Sequence, residues 1–350
     1  MPETFVDLFS GAGGLSWGLT QAGMKPLLAS DHWSDAVTTH RHNMPDHPVL
    51  LKDVRELTVP ELLDAAGGTP DWIVGGPPCQ GFSTVGKRNR DDPRNVLFLE
   101  FRRLVAGVNP AGFVIENVLG LKDMSFEEEV ANSFRDLGYN VTFNVVTAAE
   151  HGVPQLRRRV IFVGHKERGS FLGPSPTHDS TSFVSVDDAI GDLPVLRAGE
   201  QTDQYDRGPY TEYQTGMREA SRSIQGHSVS KHPEHLVEAI SHIPDGGNRR
   251  SIPDRLQPRS GFHNSYSRLA SWLPAVAVTQ NLGKPSGSRC IHPKQHRGLT
   301  TREGARLQSF PDSFHFLGGV TSQRLQVANA VPPKLATALG SALLSPNRWR

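Results

Sequence analysis

The sequence predicts an α/β fold, with an open sheet in its first half and an irregular second half. Short apolar runs alternate with helical stretches up to about residue 165, and a glycine-rich turn follows the first apolar run. After Gly169, Pro, Gly, Ser, His and Arg become frequent and the apolar periodicity weakens. Strand–helix alternation is typical of an open sheet covered on both faces. We therefore expect a sheet domain followed by a smaller, irregular domain.

Each predicted element is placed by its apolar pattern. The predicted strands are Phe5–Phe9, Pro26–Ser30, Trp72–Gly75, Gly112–Glu116, Tyr139–Val146 and Val160–Gly164. The predicted helices are Leu15–Gly23, Pro60–Ala66, Val96–Gly107, Phe126–Leu137, Leu236–Ile243, Thr301–Gln308 and a final helical stretch, Arg324–Leu344. We expect a catalytic, cofactor-binding domain over 1–169, a second domain over 170–323, and a helix over 324–350 that returns to the first domain.

Composition excludes several classes of protein. The chain has 350 residues, of which 37% are hydrophobic and 21% charged, so it is neither disordered nor a membrane protein. No apolar stretch approaches 18 residues, and no presequence comes before the strand that begins near Thr4. Two cysteines cannot make a disulfide framework or, alone, a zinc site. We expect a cytoplasmic protein without a membrane partner.

The charge is balanced overall and uneven along the chain. The net charge is +1, which by itself argues against a nucleic-acid partner. Between His242 and Arg306, however, eleven Lys and Arg residues face three Asp and Glu residues, a local charge of +8. This stretch is either a nucleic-acid contact or a solvated, loop-rich face.

A glycine-rich turn joins the first strand to the first helix, in the run Asp7 to Leu15 (DLFSGAGGL). Such a turn lets a ligand approach the backbone and exposes the amides of the helix N-terminus. Asp31 ends the second strand, where a carboxylate can hold ribose hydroxyls, and Asp53 suits the edge of a purine ring. The pattern indicates a nucleotide-like cofactor, with a tight structural turn as the alternative.

Cys79 stands in the sharpest motif, GGPPCQGFS, which follows the apolar run Trp72–Val74. It is expected on a loop at the carboxyl edge of the sheet, where ligands bind in such folds. Two prolines stiffen the approach and flanking glycines leave room for another molecule. This context favours a nucleophile over a buried structural thiol. Cys290 has no activating pattern around it and is expected to serve packing.

Two further motifs supply candidate polar groups. Glu116 follows the apolar run Phe113–Ile115 and can act as an acid or hydrogen-bond partner of a heterocycle, or be a surface acid or helix cap. In the run QLRRR, strand alternation predicts Arg157 and Arg159 on one side and Arg158 on the other. Two guanidinium groups on one side suit a phosphate or carbonyl oxygen, with a surface basic run as the alternative.

Two closing motifs come near the end of the chain. The run from Arg297 to Pro311 predicts a short helix capped by Thr300 or Thr301, with Glu303 placed for a capping box. The run from Gln326 to Pro333 predicts a turn into the last helix. Four histidines, His227, His232, His235 and His242, have irregular spacing and no nearby cysteine, so we expect polar surface or DNA contact and no metal.

In order and spacing, these segments resemble the motif set of the C5-cytosine DNA methyltransferases of the bacterial and phage modification type. The resemblance spans residues 4 to about 165 and 297 to about 340, with an unmatched insert between them. It implies a Rossmann-like S-adenosylmethionine-dependent methyltransferase domain, with a smaller, irregular target-recognition domain in the insert. Three positions depart from the family pattern: Ala328 replaces a usual Gly, Asp31 a commoner Glu, and His32 a usual apolar residue.

The chemistry implied is methyl transfer to cytosine C5. Cys79 would add to C6 to make C5 nucleophilic, and Glu116 would hold N3 and the exocyclic amine. Arg159, with Arg157 as a second candidate, would hold O2. Because C6 is inaccessible in a stacked duplex, the cytosine must be flipped out, and the 80–90 loop is long enough to close over it.

The resemblance implies two further sets of residues. The cofactor set is Phe9, Gly11, Gly13, Gly14, Leu15, Asp31, His32, Asp53, Val54, Pro78, Leu97, Asn329 and Ala330. The DNA-contacting set is Gln80, Ser83, Lys87, Arg88, Arg249, Arg250, Arg268, Lys284, Arg289 and Arg297.

Three other functions were weighed against a DNA methyltransferase. A tRNA cytosine-5 methyltransferase is disfavoured because Gly81-Phe82-Ser83 replaces the Pro-Phe-Thr typical of those relatives. A catalytically silent binding protein is disfavoured because Cys79, Glu116 and Arg159 are intact. A nicotinamide oxidoreductase is disfavoured by the incomplete glycine fingerprint. We expect a monomer acting on double-stranded DNA, and leave open whether a separately acting restriction endonuclease accompanies it.

Overall fold

The computed structural model describes residues 1–78, 95–118, 125–258, 265–287 and 289–350, with the backbone alone at 95, 96, 125 and 126. The described chain divides into two compact units. The first comprises Met1–Thr147, Arg158–Pro176 and Val331–Arg350, and the second comprises Ala148–Arg157 and Thr177–Ala330.

The first unit is built on a mixed sheet of seven strands within the described residues. These are β1 Thr4–Leu8, β2 Lys25–Asp31, β3 Val49–Leu51, β4 Trp72–Gly75, β5 Gly112–Val118, β6 Asn140–Thr147 and β7 Arg158–His165. Their order is β3-β2-β1-β4-β5-β7-β6, with β7 antiparallel to both neighbours and the other pairs parallel. The carboxyl ends of β1, β2, β4 and β5 therefore meet at one edge, where open α/β sheets bind ligands.

Six helices of this unit lie in the described residues: α1 Gly14–Gln21, α2 Ser34–Asn43, α3 Val59–Ala66, α4 Asn95–Val108, α5 Ser125–Arg135 and α11 Pro333–Leu344. The core contains buried side chains from β1, β4, β5 and β7 and from α3 to α5. Phe113 stacks on Phe134 with ring centroids 4.1 Å apart. Close packing of α11 on α1 needs Gly18, because a Cβ there would lie 2.4 Å from Cβ of Ala336.

The second unit contains the short helices α6 Val186–Ile190, α7 Glu212–Arg218, α8 Glu234–Ser241, α9 Thr301–Leu307 and α10 Val320–Asn329. Buried ion pairs, rather than a β-sheet, stabilise this unit. Arg306 is fully buried, and its Nη1 and Nη2 lie 2.5 and 2.6 Å from carboxylate oxygens of Asp192 and Asp312. Such pairs need complete hydrogen bonding to offset the cost of desolvation, and both arms of this guanidinium are paired.

The observed boundaries differ in detail from the predicted ones. The first unit is interrupted after Thr147, resumes over Arg158–Pro176 and resumes again from Val331, whereas the predicted domain boundaries lie at 169 and 323. The predicted stretch Arg324–Leu344 is two helices, because Pro332 and Pro333 interrupt the run between α10 and α11. The predicted turn from Gln326 therefore begins inside α10.

Four of the described helices and strands are not among the predicted ones, namely α2 and β3 in the first unit and α6 and α7 in the second. Helix α2 has the polar sequence SDAVTTHRHN and shows no apolar stripe, and β3 is only three residues long. Among the described residues, no helix is long and apolar enough to cross a membrane.

Candidate active site

The glycine turn lies between the end of β1 and the start of α1. Phe9, Gly11 and Gly13 all have positive φ, of 59°, 54° and 96°. Glycine adopts that region without strain, which explains two of these positions. Gly13 is also the N-cap of α1 and has no side chain to occupy the amides of the first turn. Those amides and the positive end of the helix dipole therefore face the predicted ligand site.

Asp31, at the end of β2, holds this turn from the side. Its Oδ2 accepts the amide of Gly11 at 2.8 Å, and its Oδ1 accepts the amide of Trp33 at 2.9 Å. The ring of His32 is 73% exposed, with Nδ1 3.4 Å from Oδ1 of Asp31. A hydrogen bond from the His32 ring to that carboxylate raises the pKa of His32.

Asp53, just after β3, is held as an anion. Arg55 binds it through its backbone amide at 2.9 Å and through its guanidinium, with Nη2 2.5 Å from Oδ2. The Arg55 hydrogen bond lowers the pKa of Asp53 to about 2. The carboxylate is therefore ionised and available as an acceptor at neutral pH.

Asp7 lies beneath the turn and has an unusual protonation. It is fully buried, and Oδ2 accepts Oγ of Ser16 at 2.5 Å, while Oδ1 has no hydrogen-bond partner among the described residues. Burial, opposed by Ser16, raises the pKa of Asp7 to about 7, and the charge of Asp31 adds to the shift. At neutral pH the carboxyl group of Asp7 is therefore partly protonated.

The remaining predicted cofactor residues lie in both units. Leu15 and Val54 are buried, and Pro78 and Leu97 are half-buried in the first unit. Asn329 ends α10 and Ala330 caps it, in the second unit. Their role as cofactor contacts stays a prediction.

Glu116 lies beside Gly76, in the last described segment before Cys79. A Cβ built on Gly76 would lie 3.4 Å from Oε2 of Glu116, so glycine keeps this face of the carboxylate open. The neighbouring Asn117 donates from Nδ2 to the carbonyl of Pro77 at 2.9 Å. This bond ties the end of β5 to the segment that leads to Cys79. Cys79 itself, with Gln80, Ser83, Lys87 and Arg88, lies outside the described residues.

Glu116 and Arg159 form an ion pair across β5 and β7. Nε of Arg159 lies 2.7 Å from Oε1 of Glu116, and both side chains are nearly buried, at 13% and 10% exposed. Register explains the contact, because Val118 faces Arg159 and places Glu116 at the diagonal position on the same face. The contact is electrostatic, since Oε1 has no aligned hydrogen-bond donor in the described part of the chain.

The predicted alternation of Arg157 and Arg159 along one strand is wrong, because β7 begins at Arg158. Arg157 belongs to the second unit, where it is buried and donates from Nη1 to the carbonyl of Ala328 at 3.2 Å. Gln155, also buried, donates to the carbonyl of Leu307 and to Gln308. Within that unit, this motif anchors the segment before β7.

Two predicted DNA contacts are corrected by their burial. Arg268 donates to backbone carbonyls of Ile240, Ile243 and His292, among others, and is 4% exposed. Burial lowers its pKa to about 10. Arg297 is fully buried and pairs through both terminal nitrogens with Glu303, at 2.6 and 2.8 Å. These guanidinium groups hold the second unit together and present no free donor face to a phosphate.

Fewer of the basic residues between His242 and Arg306 can contact DNA than the local charge predicts. Arg302 and Arg306 are buried as well, while Arg249 is half-buried and Arg250, Lys284 and Arg289 are exposed. The exposed ones remain candidate DNA contacts. His227 is also buried, with ring nitrogens near Thr300 Oγ1 and the carbonyl of Pro194, so the surface role predicted for it is wrong.

Other predictions of local structure agree with the structure. Thr300, rather than Thr301, caps α9, and its reciprocal hydrogen bonds with Glu303 complete the capping box. Cys290 is 3% exposed, and burial raises the pKa of its thiol to about 11, consistent with a packing role. Sequence reasoning gave no role to Asp7, His40 or His47, since no motif marks a buried titratable side chain under a glycine turn.

The fold and site define a class: an α/β domain whose glycine turn and carboxylates can hold a nucleotide-like cofactor, with a buried acid–arginine pair at the same sheet edge. The chain matches the family model for C-5 cytosine-specific DNA methylases over residues 3–345, and it belongs to that family. It is thus a DNA cytosine methyltransferase with an α/β fold.

Relatives agree over nearly the whole chain. It is 42% identical to the type II methyltransferase M1.HphI of Haemophilus parahaemolyticus, covering 99% of this chain and 88% of that protein. It is 36% identical to M.DdeI of Desulfomicrobium norvegicum, covering 97% and 88%. Among solved structures, an Escherichia coli prophage protein described as a DNA modification methyltransferase superposes with a TM-score of 0.80 at 26% identity, covering 97% and 98%.

Proposed function

We propose that this enzyme methylates C5 of a flipped cytosine within a short sequence of duplex DNA, with Cys79 as nucleophile and S-adenosylmethionine as methyl donor. The observation that carries the proposal is the ion pair of Glu116 and Arg159 beside Gly76 and Pro77. An acid and a cation beside the residues that directly precede Cys79 in the sequence support this assignment.

The residues of the first unit fit an adenosyl cofactor. The N-cap of α1 is a glycine and leaves room for a ligand backbone or carboxylate at the helix N-terminus. Asp31 offers a carboxylate at the end of β2 for ribose hydroxyls, and Asp53 is an anionic acceptor after β3. When bound, S-adenosylmethionine supplies an electrophilic methyl group.

The protein's own part of the chemistry begins at Cys79. Its thiolate forms a bond to C6 of cytosine, and the electrons of the C5–C6 double bond move to C5, which becomes nucleophilic. After C5 is methylated, it loses its proton to a base, and the Sγ–C6 bond breaks to restore the double bond and the thiolate. The loop needs glycine on both sides of Cys79 to admit the base, which explains its composition.

Glu116 and Arg159 would act on the other edge of the ring. The carboxyl group of Glu116 shares a proton with N3 and accepts from the exocyclic amine, stabilising the charge that develops when C6 is attacked. Arg159 holds the O2 carbonyl and keeps Glu116 in place. Both groups are largely shielded from water in the described structure, so each interaction is stronger than it would be in solvent.

The second unit would read the DNA. Exposed Arg250, Lys284 and Arg289, with half-buried Arg249, are suited to phosphate contacts, and loops near them would reach base edges in the major groove. Two relatives are named type II methyltransferases, which supports a place in a restriction-modification system. Such an enzyme works in the cytoplasm, associated with the nucleoid, as a monomer.

Methyl incorporation tests this proposal. Purified protein is incubated with tritium-labelled S-adenosylmethionine and either unmethylated genomic DNA or bulk tRNA, and the DNA product is sequenced after bisulfite treatment. Label in DNA, confined to cytosines within one short sequence, supports the proposal and gives the specificity. Label only in tRNA, or in neither nucleic acid, contradicts it.

A further inference from the structure

His40 and His47 form a buried pair beneath the glycine turn. His40 lies on α2 and is fully buried, and His47, on the loop before β3, is 7% exposed. Their Nε2 atoms are 3.2 Å apart and their rings meet nearly at right angles, at 72°. Neither residue belongs to a motif or to the chemistry described above.

The ring of His40 occupies the space that a side chain at position 13 would need. A Cβ built on Gly13 would lie 3.0 Å from Cγ and Cδ2 of His40. Gly13 is the N-cap of α1 and has φ of 96°. The imidazole is therefore a flat support under the left-handed residue of the turn.

The turn is thus held at two points. Asp31 accepts the amide of Gly11 at 2.8 Å from the side, and His40 packs under Gly13 from below. Arg41, the next residue of the same helix, is exposed and takes no part in this support, because its Nε donates to the carbonyl of Val49 and ties α2 to β3. Position and orientation of His40 are therefore fixed by the helix and by its partner ring.

The protonation of the pair is constrained. An Nε2–Nε2 distance of 3.2 Å fits one proton between the rings, so one ring donates and the other accepts. Burial, with the charge of His47 adding to it, lowers the pKa of His40 to about 3, although Asp31 and the Gly11 backbone oppose the shift. Burial also lowers the pKa of His47, against the charge of Asp46. Both rings are neutral when the site is formed.

One tautomer of His40 directs its N–H group toward the glycine turn. Nδ1 of His40 lies 3.1 Å from the Cβ that a side chain at Gly13 would have, so it faces the turn, and it has no well-aligned hydrogen bond in the described residues. The Gly11 backbone raises the pKa of His40, as a carbonyl that accepts from the ring does. If His47 donates from Nε2, His40 accepts there and carries its own proton on Nδ1, toward the turn. The reverse tautomers would present a lone pair to the Gly11 carbonyl, which is repulsive.

We propose that His40 is a positioning residue for the cofactor turn, held by His47 in the tautomer that carries its proton on Nδ1. This proposal rests on the proposed function, in which the turn binds S-adenosylmethionine. The histidine pair contributes to the affinity for the cofactor and takes no part in the bond-making steps.

The test measures binding as well as turnover. The dissociation constant of S-adenosylhomocysteine is measured by calorimetry for the wild-type chain and for His40→Leu, His40→Gln, His47→Gln and the control His42→Gln, an exposed position on the same helix. Thermal unfolding is recorded for each. The tautomer of His40 is read from ¹⁵N shifts of its ring nitrogens at pH 7.5.

We expect His40→Leu to weaken binding at least tenfold and to raise KM for S-adenosylmethionine, with KM for DNA unchanged. We expect His40→Gln to recover part of this affinity, His47→Gln to weaken binding about threefold and to mix the His40 tautomers, and His42→Gln to bind as the wild type does.

Any of three results would overturn the proposal. These are equal affinity in folded His40→Leu and the wild type, an Nε2–H tautomer at His40, and an equal increase in KM for both substrates in His40→Leu. If His40→Leu does not fold, the His47→Gln affinity and the wild-type tautomer still decide. Failure of the wild-type chain to bind S-adenosylhomocysteine contradicts the cofactor assignment itself, and is thereby distinguished from failure of the His40 proposal.

Discussion

Nε of Arg159 lies 2.7 Å from Oε1 of Glu116, on adjacent antiparallel strands. The two residues are 43 positions apart in sequence, and only the pairing of β5 with β7 brings them together. Both side chains are nearly buried, so each charge needs either the opposite charge or a bound ligand as its partner. A heterocycle that enters between them would replace the ion pair with hydrogen bonds from each side chain to the ring.

Glu116→Gln should slow methyl transfer by a factor of roughly 10² to 10⁴, because the amide cannot share a proton with N3. DNA affinity should stay within about threefold of the wild type, since the substitution removes little contact area. Single-turnover kinetics and DNA binding are measured together. Glu128→Gln is the control, because Glu128 is 52% exposed and pairs with Arg135 on the surface of α5. A near-normal single-turnover rate for Glu116→Gln removes Glu116 from the mechanism.

Gly13→Ala should abolish cofactor binding, whereas Gly23→Ala should not. The two glycines have nearly the same φ, 96° and 97°, so each substitution carries a backbone cost of about 1–2 kcal/mol. Only at Gly13 does the new methyl group also meet the ring of His40, and at Gly23 nothing lies within 4 Å. Binding of S-adenosylhomocysteine by calorimetry compares them. Equal affinities would show that the contact with His40 has no consequence.

Glu303→Gln should destabilise the second unit by about 3–5 kcal/mol, because it leaves Arg297 buried with half of its carboxylate partner gone. Glu238→Gln is the control and should cost less than about 1 kcal/mol, since its pair with Arg255 is exposed. Urea unfolding measures both. Equal midpoints for the two variants would contradict the structural role given to Arg297.

The same pair predicts how stability depends on pH. Arg297, opposed by burial, holds the pKa of Glu303 far below its ordinary value of 4.5. A carboxyl group whose pKa is lower in the folded state contributes stability above its unfolded pKa, and that stability is lost as the pH falls. Unfolding midpoints of the wild type should therefore decline below pH 4.5, and those of Glu303→Gln should decline less. Parallel pH curves would contradict this.

Arg249→Gln with Arg250→Gln should weaken binding to any duplex sequence. Each phosphate contact contributes about 0.9 to the slope of log K against log salt, so losing two contacts should lower the slope by about 1.8. Titrations between 50 and 200 mM salt measure the slope. Arg207→Gln, exposed and paired with Asp206 away from the basic stretch, should leave it unchanged. An unchanged slope in the double variant would place the DNA elsewhere.

Much of the first unit could be predicted from sequence, because its strands are short, apolar and punctuated by glycine. The glycine turn, the helix after it and the acid at the end of β5 follow from local pattern alone. Helix α2 could not be predicted, since its buried residues include Thr39 and His40 and form no apolar stripe. Its histidine lies under Gly13 only because of tertiary packing.

The basic stretch shows the opposite limit. Charge counted along a sequence cannot distinguish a guanidinium that meets phosphate from one that meets a buried carboxylate. Arg297 and Arg268 are bound by Glu303 and by backbone carbonyls, respectively. For Arg297 the sequence contained a signal. Glu303 belongs to the predicted capping box, and the hydrogen bond that it accepts from the backbone amide of Thr300 holds it beside Arg297. For Arg268, the partners are carbonyls that no sequence pattern marks.

The most direct test of the account is covalent trapping by duplex DNA that carries 5-fluorocytosine at the target position. Fluorine at C5 cannot leave as a proton does, so the Sγ–C6 bond should persist after methyl transfer and survive denaturing electrophoresis. We predict a trapped complex with the wild type and with Cys290→Ala, whose thiol is buried, and none with Cys79→Ala. A complex that forms with Cys79→Ala, or methylation of ordinary DNA by that variant, would contradict the assignment of Cys79 as the nucleophile.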